Sequence, residues 1–288
     1  MLVDRELLTR LEALQIPSRR RMRQQHRGEK TSLRKGSSLE FSDYREYLQG
    51  DDIRRIDWNV YARTERLYLK LFFEEESRPV LLLIDGSESM GFGSPAKFEY
   101  ALSLAACLSY ISLCHYDRPR ILILQNKDFR TYRFGSMKLF FPLLNLLKDC
   151  RPEGETHLSA TLKKLAGSTV RAGICFLLSD FFSPDGFEAM KLLSATGNEI
   201  HCLQILSQDE IAPDFRGDLR LVDSETKNTA EVSISPQVLK RYSSRLRSFQ
   251  DTIQKTAAQS FASFSKISTS TPLNDLLLRD MRRSGLLL

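Results

Sequence analysis

The 288 residues carry a formal charge of +6 and are 42% hydrophobic, 27% charged and 9% aromatic, a make-up that buries a core without disulfide or metal staples. Collagen-like, low-complexity and wholly disordered classes are excluded. The most apolar stretch, Ala101–Cys114, contains three serines and falls short of the roughly 20 residues that a membrane span requires.

Leu7, Leu8, Leu11 and Leu14 recur at helical spacing within residues 4–15, and Pro17 ends the pattern. A basic arm follows over 19–35, where Arg19, Arg20, Arg21, Arg23, Arg27, Lys30, Arg34 and Lys35 face a single acid, Glu29. Residues 39–63 mix charge with aromatics around the turn signal Gly50-Asp51-Asp52 and the one tryptophan, Trp58, without a clean period. Leu67–Phe73 alternates as a strand, and Val80–Ile84 is a fully apolar run suited to a strand covered on both faces. Helix and strand then take turns. A long, mostly buried helix is predicted over Ala96–Tyr116, a strand pair over Arg120–Gln125 and Phe129–Phe134, and helices over Lys138–Lys148 and Leu158–Leu165. A strand over Ala172–Leu178, a helix over Gly186–Ala195 and a strand over Glu199–Leu206 come next. A hairpin is expected from Leu219–Val222 and Ala230–Ile234, then a helix started by Pro236 with Leu239, Tyr242, Leu246, Phe249 and Ile253 on one face. A strand near Phe261–Ile267 and a helix from Pro272 close the pattern.

The alternation predicts an α/β fold, a doubly wound and mostly parallel sheet with helices on both faces. The expected divisions are 1–35 for the short helix and basic arm, 36–76 for the Arg/Asp-rich segment and its strand, and 77–288 for the α/β domain with a hairpin insertion near 218–234. The charged start lacks the apolar stretch of a secretory signal, so a cytoplasmic location is expected. Five cysteines, odd in number and without C-x-x-C spacing, read as reduced core thiols.

In a doubly wound sheet the functional crevice lies beyond the carboxyl ends of the strands. Ile84 is followed by Asp85-Gly-Ser87-Glu-Ser89, and Leu178 by Ser179-Asp180; between them Gly154-Glu155-Thr156-His157-Leu158 sets a threonine at the start of a helix. Carboxylates and hydroxyls are hard oxygen donors of the kind Mg²⁺ prefers, and Mn²⁺ and Ca²⁺ share these ligand types. Taken singly, each piece also fits a helix cap or an Asx-turn; their joint occurrence points to metal.

At these residues the sequence resembles the von Willebrand factor A fold and its metal-ion-dependent adhesion site, whose pattern is D-x-S-x-S, a later threonine and a later aspartate. The resemblance implies that Asp85, Ser87, Ser89, Thr156 and Asp180 form that site. It further implies that the two serines and the threonine touch the metal, that the aspartates act largely through water, and that a partner's carboxylate fills an open position. The third loop of that fold often reads Asp-Gly, whereas Phe181-Phe182 follows Asp180 here, and Asp185 is a substitute candidate for the same role.

A longer resemblance begins further upstream. Asp43-Tyr-Arg45-Glu-Tyr47-Leu-Gln-Gly50-Asp51-Asp52-Ile-Arg54-Arg55-Ile-Asp57-Trp58-Asn-Val-Tyr-Ala62-Arg63 resembles the R-x-Y-x-x-G-D-D-x-R-x-I-D-W-x-x-x-A-R signature of the domain-of-unknown-function 58 family. Asp223-Ser-Glu225-Thr226 and Thr271-Pro272-Leu273 are similar to its C-terminal pattern. That family couples the signature to a von Willebrand A-like domain, and the resemblance implies work alongside a MoxR-type AAA+ ATPase. Many members carry membrane helices before the signature; this sequence has none, which sets it with the short soluble members. Arg45, Tyr47, Asp51, Asp52, Arg54, Asp57, Trp58 and Arg63 are expected to form an ion-paired platform, anchored by Trp58, that packs on the sheet.

The chain lacks a G-x-x-x-x-G-K-[ST] loop, so any ATP hydrolysis by that route belongs to a partner. The function expected is a non-enzymatic, divalent-cation-dependent protein-interaction module that binds an exposed Asp or Glu of a protein partner. Two alternatives come from the residues: a serine hydrolase built from Ser89, Asp180 and His201 in α/β-hydrolase order, and nucleic-acid binding through the basic arm, disfavoured by the absence of interleaved aromatics.

Overall fold

The computed structural model describes residues 3–17, 40–73, 77–166, 173–183, 185–215, 217–222 and 228–288. The basic arm and the 223–226 pattern lie outside the described residues. Two compact units result: a larger one containing helix α1 (Arg5–Leu11) and the chain from Arg78 to Leu288, and a smaller one within Arg23–Ser77.

The smaller unit pairs strand β1 (Glu40–Glu46) antiparallel with β2 (Tyr68–Phe73), and between them run a 3₁₀ turn (Ile53–Arg55) and helix α2 (Trp58–Thr64). Sequence periodicity shows no helix here, because polar contacts rather than an apolar face fix it. Asp57 is the centre of those contacts. It caps α2 by accepting the Asn59 and Val60 N–H groups at 2.9 and 3.3 Å, accepts the Tyr44 hydroxyl at 2.9 Å and pairs with Lys70 at 3.1 Å. Burial pushes its carboxyl up, but Lys70, Tyr44 and the two amides outweigh that and hold it below its ordinary range. Asp51 accepts from Arg45 at 2.8 Å and from the Leu48 N–H at 2.9 Å, while Asp52 accepts the Arg54 N–H at 3.1 Å. Tyr47 bonds Leu67 through its backbone, and Arg54 and Arg63 are exposed. The expected anchor is corrected: Trp58 is 61% exposed and meets Tyr61 edge-on, so Asp57, not the indole, organises the segment.

In the larger unit the elements after β2 are β3 (Pro79–Asp85), α3 (Lys97–Cys114), β4 (Arg118–Gln125), β5 (Asp128–Arg133), α4 (Phe140–Lys148), α5 (Leu158–Ala166), β6 (Ile174–Ser179), α6 (Gly186–Ala195), β7 (Glu199–Leu206), α7 (Gln208–Ile211), β8 (Gly217–Val222), β9 (Thr229–Ile234), α8 (Pro236–Gln259) and β10 (Ser263–Ser268). A segmented helical tail, Leu273–Asp275, Leu276–Asp280 and Met281–Arg283, follows. The strand order is β10-β7-β6-β3-β4-β5, parallel throughout except for β5. This is the doubly wound, mostly parallel sheet expected, and β8–β9 form the expected separate hairpin. Alternate residues of β3 serve opposite layers: Val80, Leu82 and Ile84 face α1, α3, α4 and the tail, whereas Leu81 and Leu83 face α5, α6 and α8.

Helix α3 is buried around nearly its whole circumference. Its serines are compatible with that burial because Ser103, Ser109 and Ser112 each donate to a carbonyl four residues back at 2.8 Å. Leu8, Leu11, Leu14 and Ile16 join the same core layer, and Gln15 and Leu288 exchange backbone hydrogen bonds at 3.2 and 2.9 Å. Arg78 clamps Asp117 with bonds of 3.0 and 2.6 Å and also donates to the Ile16 carbonyl at 3.2 Å. Cys107, Cys150, Cys175 and Cys202 are buried thiols, and burial pushes Cys107 and Cys202 up to about 12. No helix among the described residues is long and apolar enough to cross a membrane.

Asp117→Ala should destabilise the larger unit by about 3–5 kcal/mol in urea denaturation, because it strands the half-buried Arg78 guanidinium; a loss below about 1 kcal/mol would show that water replaces the carboxylate. For the smaller unit, the stability that Asp57 contributes is fully present above its ordinary value of 3.8 and is lost as pH falls through its lower folded value. Amide-exchange protection of β1 and β2 should therefore drop in the wild type as pH falls below about 4, and in Asp57→Asn should start low and stay flat.

Candidate functional site

β3 and β6 are adjacent parallel strands that end level with one another, so Asp85 and Asp180 emerge side by side at the carboxyl edge of the sheet. Asp85 is fixed on both oxygens. One accepts the Ser87 N–H at 3.0 Å in an Asx-turn and the other the Ser179 hydroxyl at 2.7 Å. The turn places the Ser87 and Ser89 hydroxyls 2.9 Å apart, with Ser89 Oγ 3.5 Å from Asp180 Oδ2.

Thr156 arrives from the loop before α5. Its hydroxyl donates to the Leu124 carbonyl at 3.1 Å, the same oxygen that accepts the Gly86 N–H at 2.9 Å. Two further backbone bonds zip the loops together, Glu88 N–H to the Gly154 carbonyl at 2.8 Å and Glu153 N–H to the Gly86 carbonyl at 2.9 Å. Only glycine permits this approach at residue 86, where a Cβ would stand 2.6 Å from Gln125 Cγ. All five sequence-predicted site residues, Asp85, Ser87, Ser89, Thr156 and Asp180, thus sit at one edge of the sheet, with Asp85, Ser87, Thr156 and Asp180 buried.

A residue without a motif completes the cluster. Lys97, the first residue of α3, is 1% exposed, and its ammonium lies 2.6 Å from Asp180 Oδ2 and 2.6 Å from Glu210 Oε1. Glu210 is held in turn by a capping box with Ser207 at the start of α7, and its carbonyl accepts the Tyr242 hydroxyl of α8 at 2.6 Å. Asp180 Oδ1 accepts the Phe182 N–H at 3.0 Å, and the Asp180 carbonyl accepts Gln204 Nε2 at 3.0 Å. Burial alone would discharge Lys97, but the Asp180 and Glu210 carboxylates outweigh it and hold the ammonium above its ordinary range. Asp85 shifts upward because it is buried and because Asp180 lies beside it; the Ser179 hydroxyl, the Ser87 amide and the Thr156 hydroxyl act against that shift. Sequence reading missed Lys97 and Glu210, although two signs were present: a cation opening an otherwise apolar helix, and Ser207-x-x-Glu210 after a strand.

Three further residues singled out by the sequence take the following places. Ser89, Asp180 and His201 do not assemble as a triad. His201 pairs in register with Phe176, three residues before Ser179, which is about 10 Å down the sheet, and its ring bonds Ser263 at 2.7 Å. Asp185, the substitute candidate, accepts the Ser159 N–H at 2.8 Å and the Ser183 hydroxyl at 2.6 Å. Phe181, standing where the adhesion-site pattern often has glycine, adopts the left-handed φ of +63° while its ring is 2% exposed. Ring burial worth about 1.5–3 kcal/mol offsets the ~1–2 kcal/mol cost of that backbone for a non-glycine residue.

The profile of the family described as "Protein of unknown function DUF58" matches residues 43–252. An uncharacterized protein of Mycobacterium tuberculosis is 24% identical over 241 residues, which cover 81% of this chain and 75% of the relative. Among solved structures the chain is similar to the conserved hypothetical protein BatB from Bacteroides thetaiotaomicron, with a TM-score of 0.45 and 12% identity over 72% of this chain and 98% of that one. It is also similar to the von Willebrand factor type A protein from Catenulispora acidiphila, with a TM-score of 0.39 and 13% identity over 77% of this chain and 44% of that one. The family profile spans the Arg/Asp-rich unit, the Asp-x-Ser-x-Ser turn and most of α8, and the chain belongs to the DUF58 family.

Proposed function

We propose that the carboxyl edge of the sheet is a protein-interaction site that holds a divalent cation, Mg²⁺ or the similarly ligated Mn²⁺ or Ca²⁺, and takes an acidic side chain of a protein partner. The observation that carries this reading is the pair of serine hydroxyls, 2.9 Å apart, with that of Ser89 3.5 Å from Asp180 Oδ2. Adjacent oxygens of an octahedron with bonds of about 2.0–2.1 Å are about 2.9 Å apart, so the donor set fits a small hard cation. Ser87 and Ser89 would hold the ion directly, with Thr156 beside them and Asp85 and Asp180 supplying negative charge behind. When bound, the ion turns an acidic cluster that repels carboxylates into one that attracts them.

The carboxylate beside Ser89 is tied up in an ion pair with Lys97, and His201 bonds Ser263 further down the sheet, which supports a binding role over an enzymatic one. The partner that family membership favours is a MoxR-type AAA+ ATPase in the cytoplasm, which would supply the ATP hydrolysis for which this chain has no phosphate-binding loop.

Calorimetric titration of MgCl₂ and MnCl₂ into metal-stripped protein should give one saturable site. Ser87→Ala combined with Ser89→Ala should abolish it with an unchanged circular dichroism spectrum. Capture of the purified ATPase should need Mg²⁺ and fail in EDTA; capture that persists in EDTA with the doubly substituted protein would falsify the mechanism.

A further inference from the structure

The feature this reading leaves unexplained is the resident ammonium. Lys97 is buried as deeply as the core leucines and reaches both Asp180 and Glu210 at 2.6 Å. A charged lysine tolerates such burial only when paired and hydrogen-bonded. The Phe182 ring lies over it, 5.6 Å from Nζ, and shields the ammonium from screening by salt. The oxygen of Asp180 that Lys97 holds, Oδ2, is the one that faces Ser89.

We propose that Lys97 is the site's internal counter-ion: it neutralises Asp180 when no metal is bound, and a divalent cation entering at Ser87 and Ser89 must push its charge towards Glu210. This inference rests on the metal reading above and adds a control to it. Two cations served by one carboxylate oxygen repel each other strongly where water is excluded. Glu210 gives the ammonium a second partner, so Lys97 can release Asp180 without being left unpaired. Glu210 is itself fixed by Ser207 and Tyr242, and occupancy of the site would therefore be felt at α7 and α8. In this scheme Lys97 sets a high threshold for metal, and the threshold falls when a partner's carboxylate adds negative charge on the open side.

The test compares MgCl₂ affinity of the wild type, Lys97→Met and Lys97→Arg by calorimetry. It adds the ¹⁵N resonance of the Lys97 ammonium in the wild type during the same titration. Lys97→Met should bind Mg²⁺ at least tenfold more tightly than the wild type, Lys97→Arg should stay weak, and the wild-type ammonium resonance should move with occupancy. Equal affinities with an unmoved resonance overturn it and leave the metal reading standing; no binding by any of the three proteins overturns both. If Lys97→Met does not fold, the wild-type resonance decides.

Discussion

Two carboxylates, Asp85 and Asp180, are buried at the ends of neighbouring strands, and the architecture around them exists to make that burial tolerable. Each is reached by donors that no apolar core would supply: Ser179, the Ser87 amide and the Phe182 amide. Lys97 adds a full charge, which in turn needs Glu210, which needs Ser207. The chain of dependence runs from strand to helix start to capping box and ends on α8 through Tyr242 and through Gln250, which donates to Gln204 at 3.1 Å. A network of this kind is costly when partly satisfied and rigid when complete. Among the described residues, Thr161 Oγ1 is the buried side-chain atom left without a hydrogen-bond partner.

The two units are stabilised by different physics. The larger one has apolar layers on both faces of its sheet, and hydrophobic burial dominates its stability. The smaller one has Asp57 and Asp51 receiving backbone amides and cations, while Leu48, Ile53, Trp58 and Tyr61 remain exposed. Its polar contacts centre on carboxylates that acid weakens, and Ile56 and Leu69 supply its buried apolar surface.

This difference decides what the sequence reveals. β3, β6 and β7 are legible because a strand covered on both faces must be apolar along its length, and α3 because its length and flanks are unambiguous. The five residues of the crevice are legible because a tight turn and two strand ends impose fixed residue types. Helix α2 and strand β1 are not, since a helix held by Asp57 at its start needs no apolar stripe. Lys97 and Glu210 are separated by more than a hundred residues and meet only once β6, β7 and α3 are stacked. Phe181 shows the converse case: the missing glycine signals a changed loop, yet the backbone keeps the glycine-like conformation and packing of the ring sustains it.

The reciprocal hydrogen bonds between Gln15 and Leu288 join segments that lie far apart in sequence. The leucines of α1 share one core layer with α3 and the helical tail, so that layer is complete only when these distant segments have met. Contacts of such long range carry the entropy of closing a large loop, and the layer they finish is slow to form.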